Sequence, residues 1–268
     1  MVSDLDLLRL QAVKTGLGIK YLAKDERISL LLTQLHELFS DTIILKGGTA
    51  LNRGYLQQVQ RGRFSEDIDI DYPAHQSLAI KINHLKTTMK KIVEFDVSRP
   101  RMLHQTIRFD CHYINQLEER DRVQVEFYLS EGKTSSKPRV MVLQSQYIPV
   151  SATLFSVYIF EELLSQKMIA LYNRGEGKDI YDVFYALDLT IDRAILRNAL
   201  TQHLLHYHIP FEYKEFVKEL RKKIEGWEQN AVYIGNTANH FIPQNLRPDW
   251  RMMMSMLQEK IERLIMSL

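Results

Sequence analysis

The sequence predicts an α+β protein in which an α/β half is followed by a mostly helical half. Up to about residue 155, segments with the alternating apolar pattern of strands, such as QTIRFDCHYI and RVQVEFYL, are interspersed with helical segments. Beyond that point the apolar residues recur at helical spacing, as in FEELLSQKMIALYNR and KDIYDVFYALDL. The sequence therefore predicts two domains, residues 1–155 and 156–268.

The first half begins with helices and then changes to strands. The first forty residues have helical spacing, with Asp25 as a candidate N-cap before ERISLLLTQLHELF. The β-branched run TIIL predicts a short buried strand that leads into a Gly-Gly pair, and a helix is expected over 49–56. DIDIDY predicts the next strand, residues 77–92 a helix, and RVMVLQSQYIPV a later strand.

Composition excludes several classes of protein. A hydrophobic content of 45% and a formal net charge of +2 are ordinary for a soluble globular protein and give no bulk signal for nucleic-acid binding. The single cysteine, Cys111, excludes an intrachain disulfide and a multi-cysteine metal site, and its surroundings predict a packed thiol. No apolar run reaches the roughly twenty residues of a membrane span, and the N-terminus lacks a signal-peptide core. We therefore expect a cytoplasmic protein with no membrane contact.

The Gly-Gly pair predicts a binding place for phosphate. A helix that begins here exposes the backbone N–H groups of Gly47, Gly48 and Thr49, and its dipole favours negative charge at that end. Glycine also allows the backbone to approach a ligand closely. Ser65, which lies shortly before the next strand, offers a hydroxyl toward the same phosphate. A Gly-Gly turn is by itself more often structural, so this prediction depends on the acids that follow.

Three acids alternate along the strand DIDIDY. Side chains two residues apart on a strand point to the same side, so Asp67 and Asp69 form an oxygen site suited to Mg²⁺. Glu126, in an apolar strand, is the best candidate for a third carboxylate, whereas Asp71 at the strand end is expected to be solvated. The alternative is an exposed edge strand whose charges discourage aggregation. The combination with the glycine turn and Ser65 favours the functional interpretation.

Two stretches resemble a known family. A GG[ST] helix start followed by D-x-D on a strand is similar to the polymerase-β-like nucleotidyltransferase superfamily. "LKGGTAL", "RFSEDIDID" and the later "EELLSQKMIALYNRGEGKDIYDVFYAL" resemble the AbiEii/AbiGii-type toxins, which include the MenT toxins. The resemblance covers about 43–187. It implies a polymerase-β-like α/β domain with a mixed sheet and a helical domain that completes the nucleotide cleft.

The later segment carries charges amid apolar residues. Lys167 and Arg174 share a helix face, where two cations are able to reach a triphosphate, although side chains snorkelling at a core rim have the same pattern. Asp182 lies in an apolar run and needs a partner, for which Lys167 is the obvious choice. Asp179 suits a helix N-terminus without any function. By resemblance, Lys167 matches the family's nucleotide-contacting lysine and Asp182 its late acid, with Asp179 as the fallback.

The resemblance implies an Mg²⁺-dependent enzyme that transfers a nucleoside monophosphate from an NTP to tRNA or to a protein hydroxyl. It further implies a toxin of a bacterial toxin–antitoxin or abortive-infection system, acting in phage defence and paired with a cognate antitoxin. Two rivals remain, a nucleotidyltransferase for a small molecule such as an antibiotic and a non-catalytic nucleotide-binding module. The expected catalytic residues are Asp67, Asp69, Lys167 and Asp182; the nucleotide-binding residues Lys46, Gly47, Gly48, Thr49, Ser65, Lys167 and Arg174; and the metal ligands Asp67, Asp69 and Glu126.

Overall fold

The computed structural model describes residues 4–73, 75–129 and 136–267. The helices are α1 Leu5–Thr15, α2 Ile19–Phe39, α3 Gly47–Gly54, α4 Leu78–Met89, α5 Phe160–Arg174, α6 Gly177–Ala186, α7 Arg193–His206, α8 Tyr213–Trp227, α9 Ala231–Asn236 and α10 Trp250–Ser267. The strands are β1 Ile44–Lys46, β2 Asp67–Asp71, β3 Asp96–Val97, β4 Arg101–Leu103, β5 Thr106–Ile114, β6 Arg120–Tyr128, β7 Arg139–Leu143 and β8 Thr153–Val157. None of the helices in these ranges is both long and apolar enough to span a membrane.

The strands form one mixed sheet in the order β3-β5-β6-β2-β1-β8-β7, with β4 paired to β5. The β2–β6 and β1–β8 pairs are parallel, whereas β1–β2, β5–β6 and β7–β8 are antiparallel. Helix α2 packs against β6 and β8. Residues such as Ile68, Ile70, Val125 and Phe127 are fully buried, because strand periodicity turns every second side chain away from the polar face. The predicted α+β class with a mixed sheet is confirmed.

The chain divides into two compact units. The described residues 4–129 and 138–158 form the first, which contains the sheet, and those from Ile159 onward form the helical second unit. In the second unit α5 packs against α6 and α7, and α8 packs against α10. The division after Tyr158 lies a few residues beyond the predicted boundary at 155, which would cut through β8.

One local prediction was wrong, and one strand was not predicted. Asp25 is not an N-cap, because it lies inside α2, where its buried carboxylate accepts hydrogen bonds from Arg53 Nη2 at 2.6 Å and from the Ser145 hydroxyl. Tertiary partners that are distant in the sequence override the local capping preference. Strand β8 was also missed, although it supplies the parallel neighbour of β1.

Candidate active site

The three aspartates of β2 differ in their exposure to solvent. Asp67, Asp69 and Asp71 point to one side of the strand, while Ile68 and Ile70 point to the buried side. Asp67 and Asp69 are half-buried, whereas Asp71 is only 6% exposed. The two accessible carboxylates are therefore the pair that the D-x-D pattern predicts.

The glycine turn lies directly against this pair. Strand β1 ends at Lys46 and α3 begins at Gly47, whose φ of +70° is in the left-handed region that favours glycine. A Cβ atom at Gly47 would overlap Asp69 Oδ2 and lie 2.9 Å from Asp69 Cγ. The carboxylate of Asp69 is thus in contact with the first residue of α3, and only glycine leaves room for it.

Ser65 reaches the same helix start from the loop before β2. A Cβ atom at Gly48 would lie 2.7 Å from Ser65 Oγ. Asn52 fixes the loop, because its side chain donates to the Gly48 carbonyl at 2.9 Å and accepts from the Arg63 backbone N–H at 2.8 Å. The N-cap residue Lys46 makes no side-chain capping bond to the helix. A serine hydroxyl and the positive end of the helix dipole therefore meet next to the aspartates, which is an arrangement suited to an anion.

Thr49 has a structural task that the sequence did not indicate. Its fully buried hydroxyl donates a hydrogen bond to the backbone carbonyl of Asp67 at 2.5 Å. This bond fastens α3 to β2 and fixes the spacing between the glycine turn and the acids. Any contact of Thr49 with phosphate therefore falls to its backbone N–H.

Lys46 and Asp71 form an ion pair with each other that the sequence did not indicate. Lys46 Nζ lies 2.6 Å from Asp71 Oδ1 and 3.3 Å from the centroid of the Tyr128 ring. The Tyr158 hydroxyl donates to Asp71 Oδ2 at 2.5 Å. The expectation of a solvated Asp71 was wrong, since strand β1 brings the mostly shielded cation of Lys46 to it. The charge that was predicted to hold nucleotide at Lys46 is neutralised within the sheet.

Glu126 lies on the expected face of the sheet but has its own partner. In the parallel β2–β6 pair, Glu126 is opposite Asp69. In the antiparallel β5–β6 pair it is opposite Arg108, whose Nε donates to Glu126 Oε1 at 2.6 Å and whose Nη2 contacts the same oxygen. Sequence reasoning missed Arg108, although the alternation of TIRFDCH on the preceding strand carried the signal.

Asp67 and Asp69 suit an Mg²⁺ ion by themselves, whereas the predicted set of three carboxylates, which adds Glu126, is not assembled. Asp67 and Asp69 share a face beside an anion-binding helix start, and Mg²⁺ commonly takes one or two carboxylates together with substrate phosphates. Across residues 4–73, 75–129 and 136–267, no group of three His, Cys, Asp or Glu residues is arranged to hold a metal ion. The predicted third ligand, Glu126, is instead engaged by Arg108.

The second unit contains a buried cluster of charges between α5 and α6. Lys167 Nζ lies 2.9 Å from Asp182 Oδ2 and 3.2 Å from Asp179 Oδ1. Arg174 donates two hydrogen bonds to Asp179, from Nε to Oδ2 at 2.6 Å and from Nη2 to Oδ1 at 2.8 Å. Both aspartates are completely buried and Lys167 is 7% exposed. The predicted Lys167–Asp182 partnership is present, and Asp179 belongs to the same cluster.

The pKa of Asp179 reflects this cluster. Burial alone would raise the pKa of the carboxyl group, but attraction to Lys167 and the hydrogen bonds from Arg174 outweigh burial and lower it from 3.8 to about 2. Asp179 is therefore ionised at neutral pH. The guanidinium of Arg174, which was predicted to bind nucleotide, is used largely to hold this carboxylate.

Other candidate groups are accounted for by packing. His203 is a possible metal ligand by residue type, but its Nε2 lies 2.8 Å from Glu162 Oε2, and both side chains are buried. Cys111 is fully buried, and burial raises the pKa of its thiol to about 12. The cysteine is a packed thiol, as the sequence predicts.

Known proteins resemble this chain both in sequence pattern and in fold. A model of the family described as "Nucleotidyl transferase AbiEii toxin, Type IV TA system" matches residues 30–263. No curated protein sequence matches significantly. MenT4, a nucleotidyltransferase toxin from Mycobacterium tuberculosis, superposes with a TM-score of 0.67 at 17% identity over 98% of this chain and 89% of that one.

Two Helicobacter pylori structures are also similar. JHP933 gives a TM-score of 0.61 at 17% identity over 94% of both chains, and a putative nucleotidyltransferase gives 0.52 at 17% identity over 92% of this chain and 99% of that one. At such identities the likeness concerns the fold alone. The family model spans most of the sequence and includes the glycine turn, the acid strand and the buried charge cluster. The chain therefore belongs to the AbiEii nucleotidyltransferase toxin family.

Proposed function

We propose that this protein is an Mg²⁺-dependent enzyme that transfers a nucleoside monophosphate from an NTP to tRNA or to a protein hydroxyl. It acts in the bacterial cytoplasm as the toxin of a toxin–antitoxin or abortive-infection system, with a cognate antitoxin as its partner. One observation carries this proposal: the carboxylate of Asp69 lies against Gly47 at the start of α3. Carboxylates and an anion-binding helix start are thereby adjacent, as a metal-bound triphosphate requires.

The residues of the first unit have distinct tasks in this reaction. Asp67 and Asp69 hold the metal ion, while the backbone N–H groups of Gly47 and Gly48 and the hydroxyl of Ser65 hold the phosphates. A divalent cation held by these two carboxylates would supply positive charge that lowers the pKa of the acceptor hydroxyl and stabilises the departing pyrophosphate. The acceptor oxygen forms a bond to the α-phosphorus, its proton passes to solvent, and the bond from the α-phosphorus to the bridging oxygen breaks to release pyrophosphate. Catalysis is therefore mainly positioning and charge stabilisation.

Lys167 keeps its nucleotide-contacting role in this proposal, with Asp182 orienting it. Support comes from the ion pairs with Asp179 and Asp182, which hold the ammonium group in one place instead of leaving it to snorkel. A cation that is already ordered loses little side-chain entropy when it binds a phosphate.

The central experiment incubates the protein with each α-labelled NTP, Mg²⁺ and either total RNA or a bacterial lysate. We expect label in an RNA or protein band with the wild type and none with Asp67→Asn or Asp69→Asn. Asp96→Asn, an exposed acid on β3, is the matched control and should retain transfer. Transfer that persists in the two active-site variants would refute the metal site, and label confined to small molecules would refute the macromolecular acceptor.

A growth assay tests the role as a toxin separately from the chemistry. Expression in a bacterial host that lacks the antitoxin should arrest growth, and the Asp67→Asn variant should be harmless at equal abundance. Robust growth with abundant, folded and enzymatically active protein contradicts the toxin role but leaves nucleotide transfer intact.

A further inference from the structure

One arginine stands next to the proposed metal site and has no part in the reaction described above. On the polar face of the sheet, Asp69 on β2 is opposite Glu126 on β6, and Glu126 is opposite Arg108 on β5. The three side chains therefore lie in a row across adjacent strands. Arg108 is at the far end of this row from the glycine turn, where Gly47 contacts Asp69.

The guanidinium of Arg108 holds Glu126 by a strong contact. Its Nε and Nη2 both contact Glu126 Oε1, the former at 2.6 Å. The side chains are only 27% and 16% exposed, so water screens this pair less than it screens a surface ion pair. Hydrogen bonds between ionised partners are roughly twice as strong as those between neutral ones. Freeing Glu126 to bind a metal ion therefore requires breaking a substantial interaction.

The arrangement of the acids agrees with this restraint. Three carboxylates on neighbouring positions repel one another unless a cation neutralises part of their charge. Arg108 neutralises the outermost one. Among the residues that the structure describes, Glu126 accordingly does not join Asp67 and Asp69 in a group able to hold a metal ion.

We propose that Arg108 is a positioning residue that holds Glu126 away from the aspartate pair, so that the nucleotide-free protein binds a divalent cation through Asp67 and Asp69 without Glu126. This inference rests on the proposed function, because it concerns the same carboxylates. Its consequence is a low intrinsic affinity for the ion. Glu126 is able to join the aspartate pair only when its contact with Arg108 is broken.

The test measures binding of Mn²⁺, an oxygen-preferring substitute for Mg²⁺, to the nucleotide-free protein by electron paramagnetic resonance. Arg108→Gln should bind Mn²⁺ on the order of tenfold more tightly than the wild type. Binding through Glu126 no longer has to break its charge-assisted contact with Arg108, and the strength of such a contact corresponds to about that change in affinity. The double variant Arg108→Gln with Glu126→Gln should lose this gain. A purely structural arginine would not produce tighter binding when removed.

Arg101→Gln is the matched control. Arg101 lies on β4 opposite Arg108, but its Nη2 pairs with Asp110 Oδ2 at 2.6 Å. Its removal takes the same charge from the sheet without releasing Glu126 and should change Mn²⁺ affinity less than about twofold. Unchanged or weaker Mn²⁺ binding by folded Arg108→Gln overturns the inference, as does an equal gain in Arg101→Gln.

Two further measurements keep the outcome interpretable. If Arg108→Gln is poorly folded, the increase in its urea midpoint on adding Mn²⁺ is compared with that of the wild type, because a ligand stabilises the state that it binds. Nucleotide transfer by the wild type tests the proposed function itself. If the wild type transfers nucleotide but Arg108→Gln has unaltered Mn²⁺ affinity, only the inference about Arg108 is refuted. If the wild type transfers no nucleotide, the proposed function is refuted.

Discussion

Replacing Lys167 by methionine tests the buried charge cluster of the second unit. Methionine keeps most of the apolar stem of lysine, so packing alone would leave the fold intact. The structure changes that expectation. Lys167 Nζ contacts both Asp179 and Asp182, and neither carboxylate is exposed to solvent.

The size of the effect follows from which contacts remain. Asp179 retains its two hydrogen bonds from Arg174, while Asp182 loses the cation at 2.9 Å. Removing one partner of a buried ion pair typically costs about 3–5 kcal/mol. The free energy of unfolding of a whole domain is only about 5–15 kcal/mol. Lys167→Met should therefore remain folded but lose much of this free energy. With a typical dependence on urea, the unfolding midpoint should fall by about 2 M.

Tryptophan fluorescence during urea unfolding is the suitable assay. Both tryptophans of the chain, Trp227 and Trp250, belong to the second unit, and Trp227 packs on Gly175 directly after α5. The fluorescence signal therefore reports on the unit that contains the cluster, even if the two units unfold in separate steps.

The control is Lys178→Met, which makes the same chemical change on α6. Lys178 is partly exposed and pairs with Glu176, so its loss should cost less than about 1 kcal/mol. Combining Lys167→Met with Asp182→Asn should cost less than the sum of the single changes, because the two residues interact directly. A midpoint for Lys167→Met equal to that of Lys178→Met would refute the reasoning.

The same variant also tests nucleotide binding. At matched folded fraction, Lys167→Met should bind NTP at least about tenfold more weakly, which is the size of one charge-assisted contact. Wild-type affinity in the folded variant would restrict Lys167 to a structural role.

Two further predictions concern charge and backbone conformation. Because the pKa of Asp179 falls from 3.8 when unfolded to about 2 when folded, its ionisation contributes about 2 kcal/mol of stability. That contribution should be present above pH 4 and lost as the pH falls toward 2, so the gap in urea midpoint between wild type and Asp179→Asn should shrink over this range; a constant gap contradicts the assignment. Gly47→Ala should lose nucleotide transfer and about 1–3 kcal/mol of stability, since its φ is +70° and its Cβ meets Asp69. Gly226→Ala, at a helical position with no atom within 4 Å of the new Cβ, should be neutral or stabilising by under about 1 kcal/mol, and a similar loss in both variants would refute the steric argument.

The sequence predicts those features of the site that depend on local geometry. Strand periodicity places Asp67 and Asp69 on one face, and the Gly-Gly pair places a helix start next to a strand. Both follow from spacings of a few residues, which sequence patterns carry directly. The contact between Asp69 and Gly47 depends in addition on the antiparallel pairing of β1 and β2, which places Lys46 opposite Asp69.

The sequence does not predict which charges are neutralised, because the neutralising partners come from other strands and helices. Asp71 was expected to be solvated, yet the β1–β2 pairing and Tyr158 bury it with Lys46. Arg108 faces Glu126 only because β5 and β6 pair in one particular register, and a shift by one residue would turn the arginine to the other side of the sheet.

Neutralisation determines what each charged side chain is able to do for a ligand. A cation that must give up its partner to bind phosphate exchanges one anion for another, so its gain in binding free energy is the difference between two strong contacts. Lys46 is paired with Asp71, and Glu126 with Arg108, and both pairs are mostly shielded from solvent. In the proposed reaction, the glycine turn would therefore offer a metal-bound triphosphate its backbone N–H groups, the Ser65 hydroxyl and two aspartates rather than these paired charges. Sheet register thus determines which of these charged groups are already neutralised, which explains why residues of the same charge within one motif differ in what they are able to bind.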